Sequence, residues 1–210
     1  MSRPVRLAYE GACYHTTCRG NARQAIVRDD QDRQAFLTRV GVSVDTSQVT
    51  LHVYVLMANH CHLVVETPRA NLSAFMRHLN GSYAGYCNRR YQRVGHLYQG
   101  RFTAIVVEAE NYLTGLSRYV HLNPMRRARV RQRPAEEKLR RLARSRWSSL
   151  GGYLHKQQRS PLVEYRLVLA GFGGDTERGR QRKVLREAMA RDRGAKGQFA
   201  RLQHVLLTPR

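Results

Sequence analysis

Apolar positions recur with two spacings along the first 123 residues, and together they predict seven secondary-structure elements. Spacing of two, or clustering of β-branched and aromatic residues, predicts strands over residues 12–18, 49–57, 62–66 and 102–108. Spacing of three to four predicts helices that begin at Asp29 or Asp30, at Asn71 or Ser73, and at Glu110. The third predicted helix runs to Asn123, because Pro124 cannot continue it.

The predicted order, β-α-β-β-α-β-α, indicates an α+β fold. Its first six elements match the ferredoxin-like (RRM-like) split βαβ core, an antiparallel sheet with helices on one face. This architecture supports many unrelated functions, so the order alone does not select among them.

The pattern changes after Pro124, where arginines alternate along the chain. A short basic helix is predicted from Pro134 to Ser145, an aromatic and glycine segment over 147–153, and further helices over 161–170 and 176–192. We therefore predict a catalytic domain over residues 1–130. Residues 131–210 are predicted to form a basic, mainly helical C-terminal extension whose end is partly disordered.

Charge narrows the class of partner. The net charge is +22, the isoelectric point is near 11.0, and 42% of residues are hydrophobic, which is enough for a core. Residues 118–210 hold 24 Lys and Arg against 7 Asp and Glu, whereas residues 1–117 hold 13 against 8. Such an excess predicts a polyanionic partner, and nucleic acid is the first choice.

The absence of a C-x-x-C pair argues against a zinc knuckle, and the longest apolar run is too short to span a bilayer.

Candidate chemistry begins at His60 and His62. In an extended segment side chains two apart point to one side, so these imidazoles form half of a possible metal site, with Cys61 opposite. Tyr119 and Asn123 are four apart on the last predicted helix and share a face. A metal polarising a phosphate oxygen, an amide ligand and a tyrosine nucleophile suit phosphoryl transfer.

Each of these residues also has an ordinary structural explanation. Paired histidines on a strand are often half-buried core residues, and a helical tyrosine among leucines usually packs in the core. Asn123 precedes a proline, which disfavours the helical conformation there, and His121 is a competing ligand. The donor set favours Mg²⁺ or Mn²⁺, because zinc usually takes a third His, Cys or carboxylate.

Four segments, in the right order over about residues 3–153, resemble the IS200-like one-tyrosine HUH transposase family. His60-Cys61-His62 is similar to the HUH motif, although the middle residue there is usually bulkier. Residues 118–126 resemble the nucleophile helix, residues 95–102 the segment before the fourth strand, and residues 14–21 the first strand and its turn. Trp147-Ser148-Ser149 and the basic extension are similar to the REP-associated (RAYT) branch.

The resemblance implies roles for individual residues. Tyr119 would attack a single-stranded DNA phosphate and form a 5′-phosphotyrosine link, and His60, His62 and Asn123 would hold Mg²⁺ or Mn²⁺. The implied partner is single-stranded DNA with hairpin-forming palindromic repeats, in a cytoplasmic, nucleoid-associated bacterial protein. Both a monomer and a homodimer are compatible with the family.

DNA contacts are expected from a basic and amide set beside these motifs, because arginine binds phosphate bidentately or binds guanine. The set is Arg19, Gln99, Arg101, Arg118, Arg126 and Arg127, with Gln99 and Arg101 the strongest candidates. Tyr91 and Tyr98 are candidates for stacking on unpaired bases.

Two other functions stay open. One is a non-catalytic hairpin-binding or single-strand-binding descendant of a transposase. The other is an RNA-binding RRM-like domain, which residues 102–107 do not favour, because they lack the expected aromatic pattern.

Overall fold

Four strands form one antiparallel sheet in the computed structural model, which describes residues 8–107, 110–126, 141–142 and 145–171. The strands are β1 (Ala12–Arg19), β2 (Thr50–Leu56), β3 (His60–Thr67) and β4 (Thr103–Val107), in the order β2-β3-β1-β4. The long helices are α1 (Asp30–Ser47), α2 (Leu72–Arg90) and α3 (Glu110–His121). This order confirms the predicted ferredoxin-like core.

The two faces of the sheet carry different helices. On β1, Cys18 contacts Asn80 of α2, whereas His15 on the opposite face contacts Tyr119 of α3. The first two helices therefore cover one face, as predicted, and the seventh element lies on the other. Fully buried Phe36 of α1 and Tyr83 of α2 pack edge to face in the core with ring centroids 5.0 Å apart.

Helix boundaries follow local chemistry. The Asp29 side chain accepts a hydrogen bond from the Asp32 backbone N–H and caps α1, as predicted. The third helix, however, ends at His121 rather than Asn123, and Asn123–Arg126 form a 3₁₀ turn. The residue before a proline is disfavoured in the α region, so Pro124 ends the α-helix early.

The described part of the C-terminal extension packs against the core. The Leu56 N–H donates to the carbonyl of Trp147 (2.9 Å), and the Ser149 N–H donates to that of Tyr54 (3.0 Å), so this segment covers the outer edge of β2. Two short helices follow, α4 (Leu150–Leu154) and α5 (Arg166–Ala170). The helix predicted over 161–170 is thus confined to its second half. Those predicted over 134–145 and 176–192 lie outside the described residues, apart from 141–142, which are helical, and Ser145, which is not.

Within the described residues, no helix has both the length and the apolar character needed to cross a membrane.

A buried carboxylate joins the start of α1 to the end of α2. Asp32 is fully buried and accepts hydrogen bonds from the Arg28 N–H (2.7 Å) and the Tyr91 hydroxyl (2.7 Å). It also accepts from the Tyr86 hydroxyl (3.2 Å) and from Arg90. Because α2 leads directly into residues 91–102, this cluster sets where that loop leaves the helix.

Asp32→Ala is expected to lower the free energy of unfolding by about 3 kcal/mol, because it leaves two tyrosine hydroxyls and the Arg28 N–H without their acceptor, and Arg90 keeps Asp29 as its remaining carboxylate partner. Chemical denaturation would measure this loss. The matched control is Asp30→Ala, which removes an exposed carboxylate that pairs with Arg33 at 3.0 Å. That change should stay within about 0.5 kcal/mol; equal losses in the two variants would contradict a special role for the buried cluster.

Candidate active site

His60 and His62 project from the same face of β3, as the period of the strand predicts. Their ring centroids are 5.1 Å apart and the rings are nearly perpendicular, at 80°. Cys61 lies on the opposite face, buried beside Cys18, and the hydrogen bond with the Cys18 thiol, together with burial, raises the pKa of Cys61. The pair therefore faces α3 and away from α1 and α2.

His62 packs against side chains of β1, the neighbouring strand. Its Nδ1 lies 2.9 Å from His15 Nε2 and 3.2 Å from Thr17 Oγ1. Burial lowers the pKa of His15 to about 4, and burial with the nearby histidine and arginine charges lowers the pKa of His62 as well. Both imidazoles are therefore neutral at pH 7, which is the form that binds metals.

The second ring nitrogen of His62, Nε2, is placed to bind a ligand. His62 Nε2 is buried and has no hydrogen-bond partner among the described residues. A proton on Nδ1 can be donated to His15 Nε2 or Thr17 Oγ1, and this tautomer leaves the Nε2 lone pair available. The geometry also permits the reverse donation from His15.

The tautomer of His60 follows from its neighbours. Asn59 Nδ2 donates to the carbonyl of Arg23 at 3.0 Å, which orients the amide with Oδ1 towards His60. Since Oδ1 can only accept, His60 Nδ1, at 2.7 Å, must be the donor. His60 therefore carries its lone pair on Nε2, as a metal-binding histidine with an oriented second ring nitrogen does.

Tyr119 lies directly across from the histidines. Its ring meets those of His15 and His62 edge to face, with centroids 5.8 and 6.3 Å away. The Arg126 guanidinium lies over the Tyr119 ring, 4.0 Å from its centroid. The fixed positive charge of Arg126 is suited to hold an anionic phosphate beside the tyrosine.

Asn123 and His121 make hydrogen bonds with groups outside the histidine pair. Asn123 Nδ2 donates to the Tyr119 carbonyl at 3.1 Å, so its amide is turned back onto α3. His121 is buried and bonds to Ser149 Oγ (2.8 Å), and burial lowers its pKa to about 3. It therefore supports the Trp147-Ser148-Ser149 segment, which excludes it as a competing ligand.

His15, His62 and Tyr119 line a cavity of about 470 Å³ with a basic rim. Arg19, Gln99 and Arg101, all predicted, contribute exposed side chains to it. Hydrogen bonds from the Gln99 N–H to the Arg19 carbonyl (2.9 Å), and from the Asn21 N–H to the Leu97 carbonyl (2.9 Å), hold the loop against the end of β1. Arg118 is half-buried on α3, and Arg127 lies outside the described residues.

Sequence analysis missed His15, Thr17 and Thr103, which all line the cavity. The signal was present, because His15 and Thr17 alternate on a strand that a ferredoxin-like core places beside β3. Tyr91 was interpreted as a candidate for base stacking. The structure instead uses its hydroxyl on Asp32, with the Arg28 guanidinium 4.0 Å from the ring centroid.

The fit of a divalent cation rests on two nitrogens. The described residues contain no group of three His, Cys, Asp or Glu side chains arranged to hold a metal. His60 and His62 project from one face of β3, and the buried His62 Nε2 has no hydrogen-bond partner among the described residues. Two such nitrogens suit a cation that fills its remaining positions with water or phosphate oxygen.

Comparison with known proteins agrees with the fold. Residues 8–123 match the family model described as IS200-like transposase. The structure of a REP-associated tyrosine transposase bound to a REP hairpin has a TM-score of 0.61 and 14% identity, covering 80% of this chain and 93% of that one. A Deinococcus radiodurans R1 protein assigned as a transposase gives a TM-score of 0.41 and 16% identity, covering 57% and 95%. No curated protein sequence matches the chain.

Proposed function

Because this chain belongs to the IS200-like transposase family, we propose that it cleaves and rejoins single-stranded DNA through a 5′-phosphotyrosine link. The observation that carries the proposal is Tyr119, which faces the His15–His62 pair inside a cavity with an arginine rim. A nucleophile, neutral imidazoles and anion-binding arginines thus surround one space. That combination suits a phosphodiester better than a neutral substrate.

In the proposed reaction, the Tyr119 hydroxyl oxygen attacks phosphorus and the bond to the 3′ oxygen breaks. The hydroxyl proton passes to solvent, and the departing 3′ oxygen takes up a proton. One phosphate ester replaces another, so a second 3′-OH can reverse the step and join strands without an external energy source. Arg126, over the tyrosine ring at 4.0 Å, and Arg101 on the rim would hold the phosphate.

His60 and His62 would hold Mg²⁺ or Mn²⁺ through Nε2, and Mn²⁺ accepts imidazole better. Such a cation supplies Lewis-acid polarisation of a non-bridging phosphate oxygen. Asn123 Nδ2 donates to the Tyr119 carbonyl at 3.1 Å, so Oδ1 would be the Asn123 atom that joins the two histidines. Arg19, Gln99, Arg118 and Arg127 remain proposed DNA contacts.

The proposed substrate is single-stranded DNA that folds into palindromic hairpins, as in the REP-associated branch. A similar fold occurs in a transposase bound to a REP hairpin. A non-catalytic hairpin-binding protein is the second candidate.

A covalent-capture assay separates the two functions. End-labelled hairpin DNA with single-stranded arms would be incubated with the protein and Mg²⁺ or Mn²⁺, then run on a denaturing gel. Cleavage predicts a slow-migrating adduct that requires the metal. Binding without any covalent product, across several palindromic hairpins, would favour the non-catalytic protein.

His15 is expected to orient His62. His15→Ala removes the nitrogen 2.9 Å from His62 Nδ1, so Mn²⁺ affinity measured by calorimetry should fall about 10- to 100-fold. His15→Gln, which keeps an acceptor near the lost Nε2, should recover part of it. Equal affinities in the wild type and His15→Ala would show that His62 does not depend on this hydrogen bond.

A further inference from the structure

A second concave surface lies next to the cavity and is not used by the proposed chemistry. It is a groove of about 860 Å³ between α2 and the loop of residues 95–102. Gln99, Gly100 and Arg101 line both the groove and the cavity. A strand whose phosphate lies at Tyr119 would therefore meet the groove within a short length of chain.

The groove combines an apolar floor with a basic rim. Met76, Leu97 and Phe102 are buried in its floor, and Arg77 and His96 are exposed at its edge. Among the described residues, no aspartate or glutamate lines it. Apolar surface beneath positive charge fits a flat base attached to a phosphate backbone.

Two polar atoms in groove-lining residues are without a partner. Asn88 Oδ1 and the Tyr98 hydroxyl are buried and have no hydrogen-bond partner in the described parts of the chain. Asn88 Nδ2 donates to the Gly95 carbonyl at 3.1 Å, which orients the amide and leaves the oxygen for another group. Burying unpaired polar atoms is unfavourable, and a base edge with an N–H donor would satisfy Asn88.

From these features we propose that the groove binds an unpaired base, with an N–H donor edge, next to the nucleotide whose phosphate reacts. The proposal rests on single-stranded DNA being the substrate. It assigns base selection to α2 and the loop and leaves bond cleavage to Tyr119. Tyr98, a predicted stacking residue, lines this groove with its half-buried ring.

Gly81 allows the groove to be filled without damage to the fold. It lies within α2 and lines the groove, and a Cβ built on it meets nothing within 4 Å. Gly85, one turn later, does not line the groove, and its Cβ would meet only Arg89 Nη1, at 3.5 Å. Leucine at either position should raise the melting temperature by a few degrees, because glycine is a poor helix former. Only leucine at position 81 should occupy the base site.

The test uses a DNA hairpin with a single-stranded arm of ten random nucleotides. Bound DNA from the wild type, Gly81→Leu and Gly85→Leu would be sequenced. The wild type and Gly85→Leu should enrich the same base at one or two adjacent arm positions, and Gly81→Leu should lose that enrichment. On the enriched sequence, Gly81→Leu should raise Kd about tenfold or more, and Gly81→Ala by less.

Two results would contradict base binding in the groove. One is a lack of enrichment at every arm position with the wild type, and the other is the same enrichment with Gly81→Leu as with the wild type. Covalent capture on the same DNA separates this result from the proposed cleavage. If the wild type forms an adduct and Gly81→Leu shows unchanged enrichment, base binding in the groove is rejected and the proposed cleavage is supported. Enrichment lost only in Gly81→Leu, with no adduct in the wild type, supports the groove and rejects the cleavage.

Discussion

Tyr119→Phe is expected to abolish the covalent protein–DNA adduct, lowering its rate of formation by at least about 10³-fold. The change removes one hydroxyl and keeps the ring that contacts His15 and His62 edge to face. Packing and the Arg126 contact should survive. The measurement is adduct formation on a denaturing gel, with hairpin affinity measured in parallel by a mobility shift.

A matched control lies two turns earlier on α3. Tyr112→Phe also removes one phenolic hydroxyl from this helix, but Tyr112 does not line the cavity. It should form adduct at close to the wild-type rate. If Tyr119→Phe keeps its activity while Tyr112→Phe loses it, the nucleophile has been assigned to the wrong tyrosine. Unchanged hairpin affinity in Tyr119→Phe would show that the lost step is chemical.

The second large effect is expected at the histidine pair. His62→Ala removes the buried Nε2 that has no partner in the described residues, and with it one of two proposed nitrogen ligands. Metal-stimulated cleavage should fall roughly 10³-fold, because transition-state charge on the phosphate loses its Lewis acid. Cleavage would be measured against Mn²⁺ concentration, with chelator as the zero point.

His62 is buried, so His62→Ala lowers stability as well as removing a proposed ligand. A second variant separates these two effects. His60 is less buried than His62, and His60→Ala should weaken Mn²⁺ stimulation with little loss of stability. His78→Ala is the control, because His78 is exposed on α2 and bonds Ser43 Oγ at 2.8 Å on the other side of the sheet. Cutting that survives both His62→Ala and chelation would remove the metal from the proposed mechanism.

The strand period accounts for the part of the site that sequence analysis predicted. Side chains two apart in an extended chain share a face, so His60 and His62 could be paired before any fold was known. Helical spacing likewise placed Tyr119 with Leu116 and Val120 on the last core helix. Gln99 and Arg101 are the strongest predicted candidates for DNA contact, and both line the cavity beside Tyr119.

Asn123 shows what local patterns leave open. Helical spacing alone put it on the face of Tyr119, but Pro124 ends α3 at His121 and the amide turns back to the Tyr119 carbonyl. The preference of the residue before proline was visible in the sequence. The direction of the Asn123 side chain was not visible there, because it depends on which hydrogen-bond partner lies within reach.

Sequence by itself determined the element order, the shared face of the two histidines and the excess of positive charge, because each depends on neighbours along the chain or on a sum over it. Tertiary structure decided that His15 Nε2 lies 2.9 Å from Nδ1 of His62, 47 residues away along the chain. It also decided that α2 and the 95–102 loop enclose a groove. Both depend on which distant segments meet, and packing of the whole sheet, in the order β2-β3-β1-β4, settles that choice.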